Sequence, residues 1–439
     1  MSQKLGFKSV FAIVFGGQVG SGIFMLPAIL APYGVWAVFG WCLAGLGAIL
    51  LAIVFGELCS RFPNTGGPHA YVMKAFGRIP GFFVGWCYWL VSWISTSVVI
   101  VASIAYLNPF VGDVSSFDSF LLEVTLLIIV TAINCKSVGF AGKAEFLLMI
   151  LKFSPFIIVP ILIISDFNPA NITVSADFAR LSPFELLSAV TIQCLWGFIG
   201  LECATTPAGS VQNPSKTIPQ AIIFGTCAVA LVYFVNSTAI MGVVPGNVLA
   251  ASKAPFADAV NVVAGKNISL LLSLAASIVC AGTVNAWMLT SAQASLGLAQ
   301  DGLLPPFFGK RNSEGSPYVG VLICCLGTIV ILALTKNKNI SEQVTCIVNF
   351  SVTAFLMVYA ICCAAFLKIT LQERKIGKLI IGLFALAFCL LLMADASWQS
   401  ILISALFFAS GIFVFPFLKI GKLSELSKKT QPSKKNARY

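Results

Sequence analysis

The chain has 439 residues but one histidine and sixteen acidic residues, and charged side chains make up only 10% of it. A soluble domain would carry roughly 25%. Little catalytic chemistry can be built from so few such groups. His69 stands alone, and neither a metal-binding cluster nor a Ser–His–Asp constellation can be picked out. There is no Walker A sequence, so no sign of ATP drive, and no dinucleotide glycine fingerprint. The fourteen cysteines show no zinc or redox spacing. Most fall in apolar stretches, where thiols act as small hydrophobes. The adjacent pairs Cys324-Cys325 and Cys362-Cys363 have poor disulfide geometry and read as packing.

What is present is apolar: 58% of the residues are hydrophobic, and the mean hydropathy is +0.96. That surface needs lipid, so the chain reads as an all-α polytopic membrane protein. The net charge of +11 does not make a nucleic-acid patch. Lys and Arg gather in short loops and in a solvated tail, Lys419 to Arg438, which could touch anionic lipid.

A span needs about 20 apolar residues. Twelve are expected: roughly 9–32, 35–58, 79–107, 117–135, 144–166, 184–204, 217–243, 268–298, 317–335, 342–367, 377–394 and 398–418. No cleavage site of signal-peptide type follows the first, so it reads as retained. With the N-terminus inside, inner loops carry Lys4, Lys8, Arg61, Lys74, Arg78, Lys136, Lys143, Lys216, Lys310, Arg311, Lys368, Arg374, Lys375 and Lys378, plus the tail. Outer loops carry only Arg180, Lys253, Lys266, Lys336 and Lys338. The bias places both termini in the cytoplasm.

The first span is interrupted by Gly16-Gly17-Gln18-Val19-Gly20-Ser21-Gly22, ahead of Ile23-Phe24-Met25-Leu26-Pro27. Each glycine costs about 1 kcal/mol relative to Ala in a helix interior. Backbone freed at membrane depth survives only where protein or a wet cavity surrounds it. A second interruption, Leu195-Trp196-Gly197-Phe198-Ile199-Gly200-Leu201-Glu202, falls in span six. The offset of five spans gives two five-span repeats of opposite orientation, the pattern of secondary transporters that bind at the midplane. Small residues can also serve plain helix packing. As a site, amides at a half-helix N-terminus would hold a carboxylate, and free carbonyls opposite would accept an ammonium.

Charges inside spans are expensive and mark ion or substrate paths. Glu202 lies beside the second break, as a gate or proton-linked group, as a carboxylate just outside the bilayer, or as one paired to backbone amides. Lys152 lies nine residues past Lys143, ~13 Å deeper by helix rise. It either snorkels outward or points into the bundle, between broken helix one and span eight. Trp196 and Trp287 are too deep for an interfacial belt, and an indole face stacks on a guanidinium or ammonium. Tyr88, Trp89 and Trp93 on span three are the other aromatics of interest. His69 reads as structural.

Taken with Gly66-Gly67-Pro68-His69-Ala70-Tyr71, Phe76-Gly77, Tyr88-Trp89-Leu90, Asn213-Pro214 and Asp301-Gly302-Leu303-Leu304-Pro305-Pro306, the two breaks resemble the amino acid–polyamine–organocation transporters over almost the whole length. The match is most like the bacterial arginine/agmatine antiporters and their putrescine/ornithine and lysine/cadaverine relatives. The resemblance implies twelve helices in a five-plus-five inverted repeat with helices one and six discontinuous. The parts would be an N-terminus (1–8), a first repeat (9–166), a second repeat (184–367), helices eleven and twelve (377–418) and a basic tail (419–439). It implies a substrate site between helices one, three, six, eight and ten in a bacterial inner membrane.

By resemblance, Gly20, Ser21 and Gly22 hold the substrate carboxylate, and Val19, Trp196 and Ile199 offer backbone to the α-amino group. Trp196 is the proximal gate, and Trp287 lies near the guanidinium stem. Ser351 matches a serine contacting the guanidinium. Tyr88, Glu202 and Tyr359 fall at the distal gate. Thr96 stands where an asparagine is expected near the substrate. Lys152 resembles a helix-five lysine of other superfamily members, which leaves proton-coupled uptake open beside exchange. The expected partners are a cationic amino acid or polyamine and the bilayer, with a homodimer open. No cofactor, metal or nucleic acid is expected. An amino-acid sensor or channel is the reading from another class.

Overall fold

The computed structural model describes residues 4–112, 115–252, 254–336 and 340–417, without the side chains of Ser21, 340–346 and Phe417. The basic tail, Lys253 and Lys338 lie outside these residues, as does the side chain of Ser21.

The elements are all helical. The first part of the chain gives α1 (Phe7–Gln18), α2 (Ser21–Leu30), α3 (Trp36–Arg61), α4 (Pro68–Phe76), α5 (Arg78–Ala105), α6 (Asn108–Val111), α7 (Ser116–Lys136) and α8 (Val138–Ile163). The middle gives α9 (Pro183–Trp196), α10 (Pro214–Val243), α11 (Gly246–Ala250), α12 (Pro255–Ala264) and α13 (Lys266–Gln300). The last part gives α14 (Tyr318–Thr335), α15 (Ile340–Glu373), α16 (Ile376–Ala394) and α17 (Trp398–Val414). Among the described residues, ten helices are long and apolar enough to cross a membrane, counting α1 and α2 as one. The two expected spans missing from that number are α9, which stops after 14 residues, and α17, with 17 residues.

Local sequence explains the boundaries that matter for the site. Ser137 caps α8 by accepting from the Phe140 amide at 3.0 Å, so this helix starts at Val138 rather than near 144. Residues expected at the membrane boundary therefore sit two turns inside the helix. The stretch around His69, expected as loop, forms α4, with Pro68 at its first turn. His69 is buried there, its ring 2.9 Å from Asp301 Oδ2 and 3.2 Å from the Gly66 carbonyl.

Both expected breaks are present. α1 ends at Gln18, and α2 restarts after Gly20. α9 ends at Trp196, and short turns fill the chain up to α10, including 3-10 turns at Cys203–Thr205 and Ala208–Ser210. The halves cross-pack: α1 meets the Cys203–Thr205 turn, and α2 meets α9. Gly200, at φ +109°, lets the two breaks approach. A Cβ there would stand 2.7 Å from the Gly17 carbonyl oxygen. α5, α8 and α13 wrap this core. Leu5 pairs with the end of the second break, its amide donating to Ser210 O at 2.8 Å.

Candidate functional site

A helix leaves its last four carbonyls without helical partners. In α1 the Phe15 carbonyl is taken by the Val19 amide. Each of the next four is taken by a side chain from a different direction. Lys152 Nζ donates to Gly16 O at 3.1 Å, and Trp287 Nε1 donates to Gly17 O at 2.9 Å. The Tyr233 hydroxyl donates to Gln18 O at 2.7 Å, and Thr283 Oγ1 donates to Val19 O at 2.5 Å. The first break is thus held open by α8, α10 and α13. Sequence reading expects free carbonyls here; in this conformation they are satisfied. An entering ammonium would have to displace a donor, because buried backbone groups do not stay unpaired.

The opposite side of the break is the N-terminus of α2, which has no side-chain cap. Gly20 and Gly22 line a small cavity. Its other walls are Gly17 and Gln18 of α1, Ser95 and Val99 of α5, Trp196 and Ile199 of the second break, and Thr283 and Trp287 of α13. Close packing explains the glycines. A Cβ on Gly20 would stand 2.6 Å from Thr283 Cγ2, and one on Gly22 would stand 3.2 Å from Trp196 Cδ1. The surface mixes indole faces with a few polar groups and the positive end of a helix dipole, a lining suited to a small zwitterion.

Of the residues singled out from the sequence, Gly20, Gly22, Trp196, Ile199 and Trp287 come together around this cavity. Val19 is not among the lining residues; its carbonyl accepts from Thr283, which is. Thr96 and Ser351 are buried but are not among the lining residues. The Thr96 hydroxyl turns back to Ser92 O of its own helix at 2.9 Å, and Ser95, one position earlier, takes the wall. α15 contributes no lining residue. It acts one layer away through Phe355, whose ring lies 5.4 Å from that of Trp287.

That second layer is the tyrosine–glutamate cluster. Glu202 is fully buried. It accepts from the Tyr88 hydroxyl at 3.1 Å and from the Tyr359 hydroxyl at 2.5 Å. Phe355 packs edge-on against Tyr88, 5.9 Å between centroids, and connects the cluster to Trp287. Glu202 is therefore not paired to backbone alone. It joins α5 to α15 across the second break. Seven residues separate Tyr88 from Ser95, which places the cluster ~10 Å along α5 from the cavity wall.

Lys152 points into the bundle, not outward. It is fully buried between α1 and α13, as one of the two sequence alternatives has it. Its ammonium makes a third contact that the sequence reading missed, to Glu145 Oε1 at 3.0 Å. The signal was available: Glu145 and Lys152 are seven residues apart, two turns on one helical face. The cavity residues Gln18, Ser95 and Thr283 also escaped notice, because uncharged polar side chains in apolar helices carry no distinct pattern.

The amino acid permease family matches residues 5–422 of the chain. A cadaverine/lysine antiporter of Escherichia coli K12 is 26% identical over 406 residues, covering 90% of each chain. A putative arginine/ornithine antiporter of Bacillus subtilis is 28% identical over 459 residues, covering 95% of this chain and 97% of its own. A putrescine transporter of Haemophilus influenzae is 28% identical over 383 residues, 86% of each. With its broken helices, central cavity and apolar spans, this chain belongs to the amino acid permease family of the amino acid–polyamine–organocation superfamily, and is a multi-pass membrane transporter rather than an enzyme.

Proposed function

We propose that the chain exchanges a cationic amino acid for a polyamine or a second cationic amino acid by alternating access. One observation carries the reading: the cavity lies where two interrupted helices meet, with an uncapped helix N-terminus on one side and two indoles on the other. The α2 terminus suits the carboxylate. The faces of Trp196 and Trp287 suit the cationic end; Trp287 spends its N–H on Gly17 O, which leaves the face for the ligand. Among the described residues no carboxylate lines the cavity, so one wall serves an amino acid and its decarboxylated amine alike. The names of the relatives support the same substrate class. Arginine with agmatine and ornithine with putrescine are the leading pairs.

On this reading α9 with the turns after it, and α17, complete twelve spans. Helices one to five (9–166) and six to ten (184–367) form the inverted repeat. The cross-packing of α1 and α2 on the second break supports that relation. Lys4, Lys136, Lys143 and Arg311 border one common cleft, which supports a single cytoplasmic face with the N-terminal residues on it; the reading puts both termini there, in the inner membrane.

Proteoliposomes loaded with agmatine, putrescine, cadaverine or nothing test the proposal. Labelled arginine, ornithine or lysine should accumulate only in loaded vesicles. The buried ammonium of Lys152 against α1 favours a second reading, proton-coupled uptake. Equal accumulation in empty vesicles under an acid-outside gradient would establish it and end the exchange reading. Passive equilibration without saturation would point to a channel.

A further inference from the structure

Glu145 and Lys152 form a fully buried ion pair that substrate recognition does not use. The bonding around it is complete. Lys152 has three protons, and Gly16 O, Glu145 Oε1 and Thr283 Oγ1 accept them. The other carboxylate oxygen, Oε2, accepts from Asn285 Nδ2 at 2.9 Å. The Asn285 amide oxygen in turn accepts from Asn134 Nδ2 at 3.0 Å. Two glycines leave room for the pair. A Cβ on Gly16 would run into Glu145 Oε1, and one on Gly282 would stand 2.7 Å from Lys152 Cε. Two thiols interact electrostatically with the pair, Cys280 on α13 with Lys152 and Cys203 beside α1 with Glu145. Among the described residues no other charged side chain pairs with either member.

A buried ion pair stabilises a fold weakly, and apolar side chains of the same volume often do as well or better. Stability alone therefore does not account for the pair, and its position suggests another role. The pair reaches the cavity through one residue, Thr283, which accepts from Lys152 and donates to Val19 O. We propose that Glu145 is the resident counter-ion of Lys152: it keeps the ammonium charged throughout the cycle, so that α1 is fastened to α8 and α13 by a neutral pair and exchange needs no proton gradient. Glu145 is a positioning residue, acting on α1 through Lys152. The inference rests on the exchange reading for its setting but is tested separately from it.

The experiment is self-exchange of labelled lysine or arginine by the full-length protein in proteoliposomes, with equal pH on both sides, stepped from mildly acidic to mildly alkaline. Wild type should give a flat profile. E145Q leaves a buried cation unpaired, so its exchange should fall by about tenfold as pH rises and that cation can shed its proton. E145D should restore the flat profile, and E145Q/K152Q should be flat at a lower rate. An E145Q profile parallel to wild type, or an E145Q/K152Q profile as steep as that of E145Q, overturns the proposal. If E145Q does not assemble, N285A removes only the amide on Oε2, and its exchange should fall toward the acidic end of the same range, where wild type stays flat; coincident curves overturn the proposal. If wild type shows net uptake without counter-substrate, the exchange reading fails, and the same pH comparison read on net uptake still decides the role of Glu145.

Discussion

Glu202, in the second break, and Glu145, beside the first, are two fully buried carboxylates. Glu202 is held by two phenols, from α5 and α15. Glu145 is held by an ammonium and an amide, from α8 and α13. The difference lies in what each side chain would leave behind if its charge changed. The phenols are neutral donors that can turn, so the Glu202 layer tolerates either charge state and can part when helices move. The Glu145 layer has a fixed opposite charge, and altering one partner strands the other. On the exchange reading, the Glu202 layer is the one that would part and the Glu145 layer the one that would stay shut.

The largest test of that contrast compares Lys152→Met with Glu202→Gln. Removing the ammonium leaves a carboxylate buried and unpaired, a loss of about 3–5 kcal/mol. The glutamine at position 202 keeps one acceptor for a phenol and should cost about 1 kcal/mol. Thermal unfolding of the detergent-purified proteins reads both. Equal losses would mean the two layers are held in the same way, and the comparison fails.

These two residues also show how far sequence reading reaches. The spans follow from apolar length alone, and the breaks from glycines that lipid would not otherwise tolerate. Lys152 stands out because a single cation at that depth must either snorkel outward or point into the bundle. Its partner does not stand out. Glu145 lies two positions after Lys143 and reads as the edge of a span until the cap at Ser137 moves the start of α8 back to Val138. Tyr88 and Tyr359 became visible as partners of Glu202 only through the resemblance, since they are 271 positions apart in the numbering and no local pattern connects them. The wall residue Ser95 was missed in favour of Thr96 for a similar reason: which of two adjacent small hydroxyls faces the cavity depends on helix rotation, which packing sets.

A middle-sized effect separates backbone from charge. Gly200→Ala introduces a side chain at φ +109°, a conformation that costs a non-glycine residue about 1–3 kcal/mol. It also aims a methyl at the Gly17 carbonyl. The Glu145 pair should remain intact, because nothing in its network is touched. Exchange should therefore fall while the self-exchange pH profile stays flat. A profile that steepens in Gly200→Ala would show that the two layers are coupled through α1.

The smallest effects distinguish the two phenols on Glu202. Tyr359→Phe and Tyr88→Phe each remove one donor from a buried carboxylate, worth about 0.5–3 kcal/mol according to how much charge the bond carries. The Tyr359 bond, at 2.5 Å, is the shorter; the Tyr88 bond is 3.1 Å. Short O–H···O contacts to a carboxylate are the stronger ones, so Tyr359→Phe should lower the unfolding temperature more. For transport the order should follow the elements they bridge. Tyr88 reaches Glu202 from α5, the helix that also supplies Ser95 and Val99 to the cavity, whereas Tyr359 reaches it from α15, which supplies none. If the layer must part for substrate to pass, weakening either bond should speed opening more than it harms binding. The apparent affinity for labelled substrate would then change less than the maximal exchange rate. Two variants that alter affinity alone would place Glu202 in the binding wall instead of a gate, and would remove the contrast with Glu145.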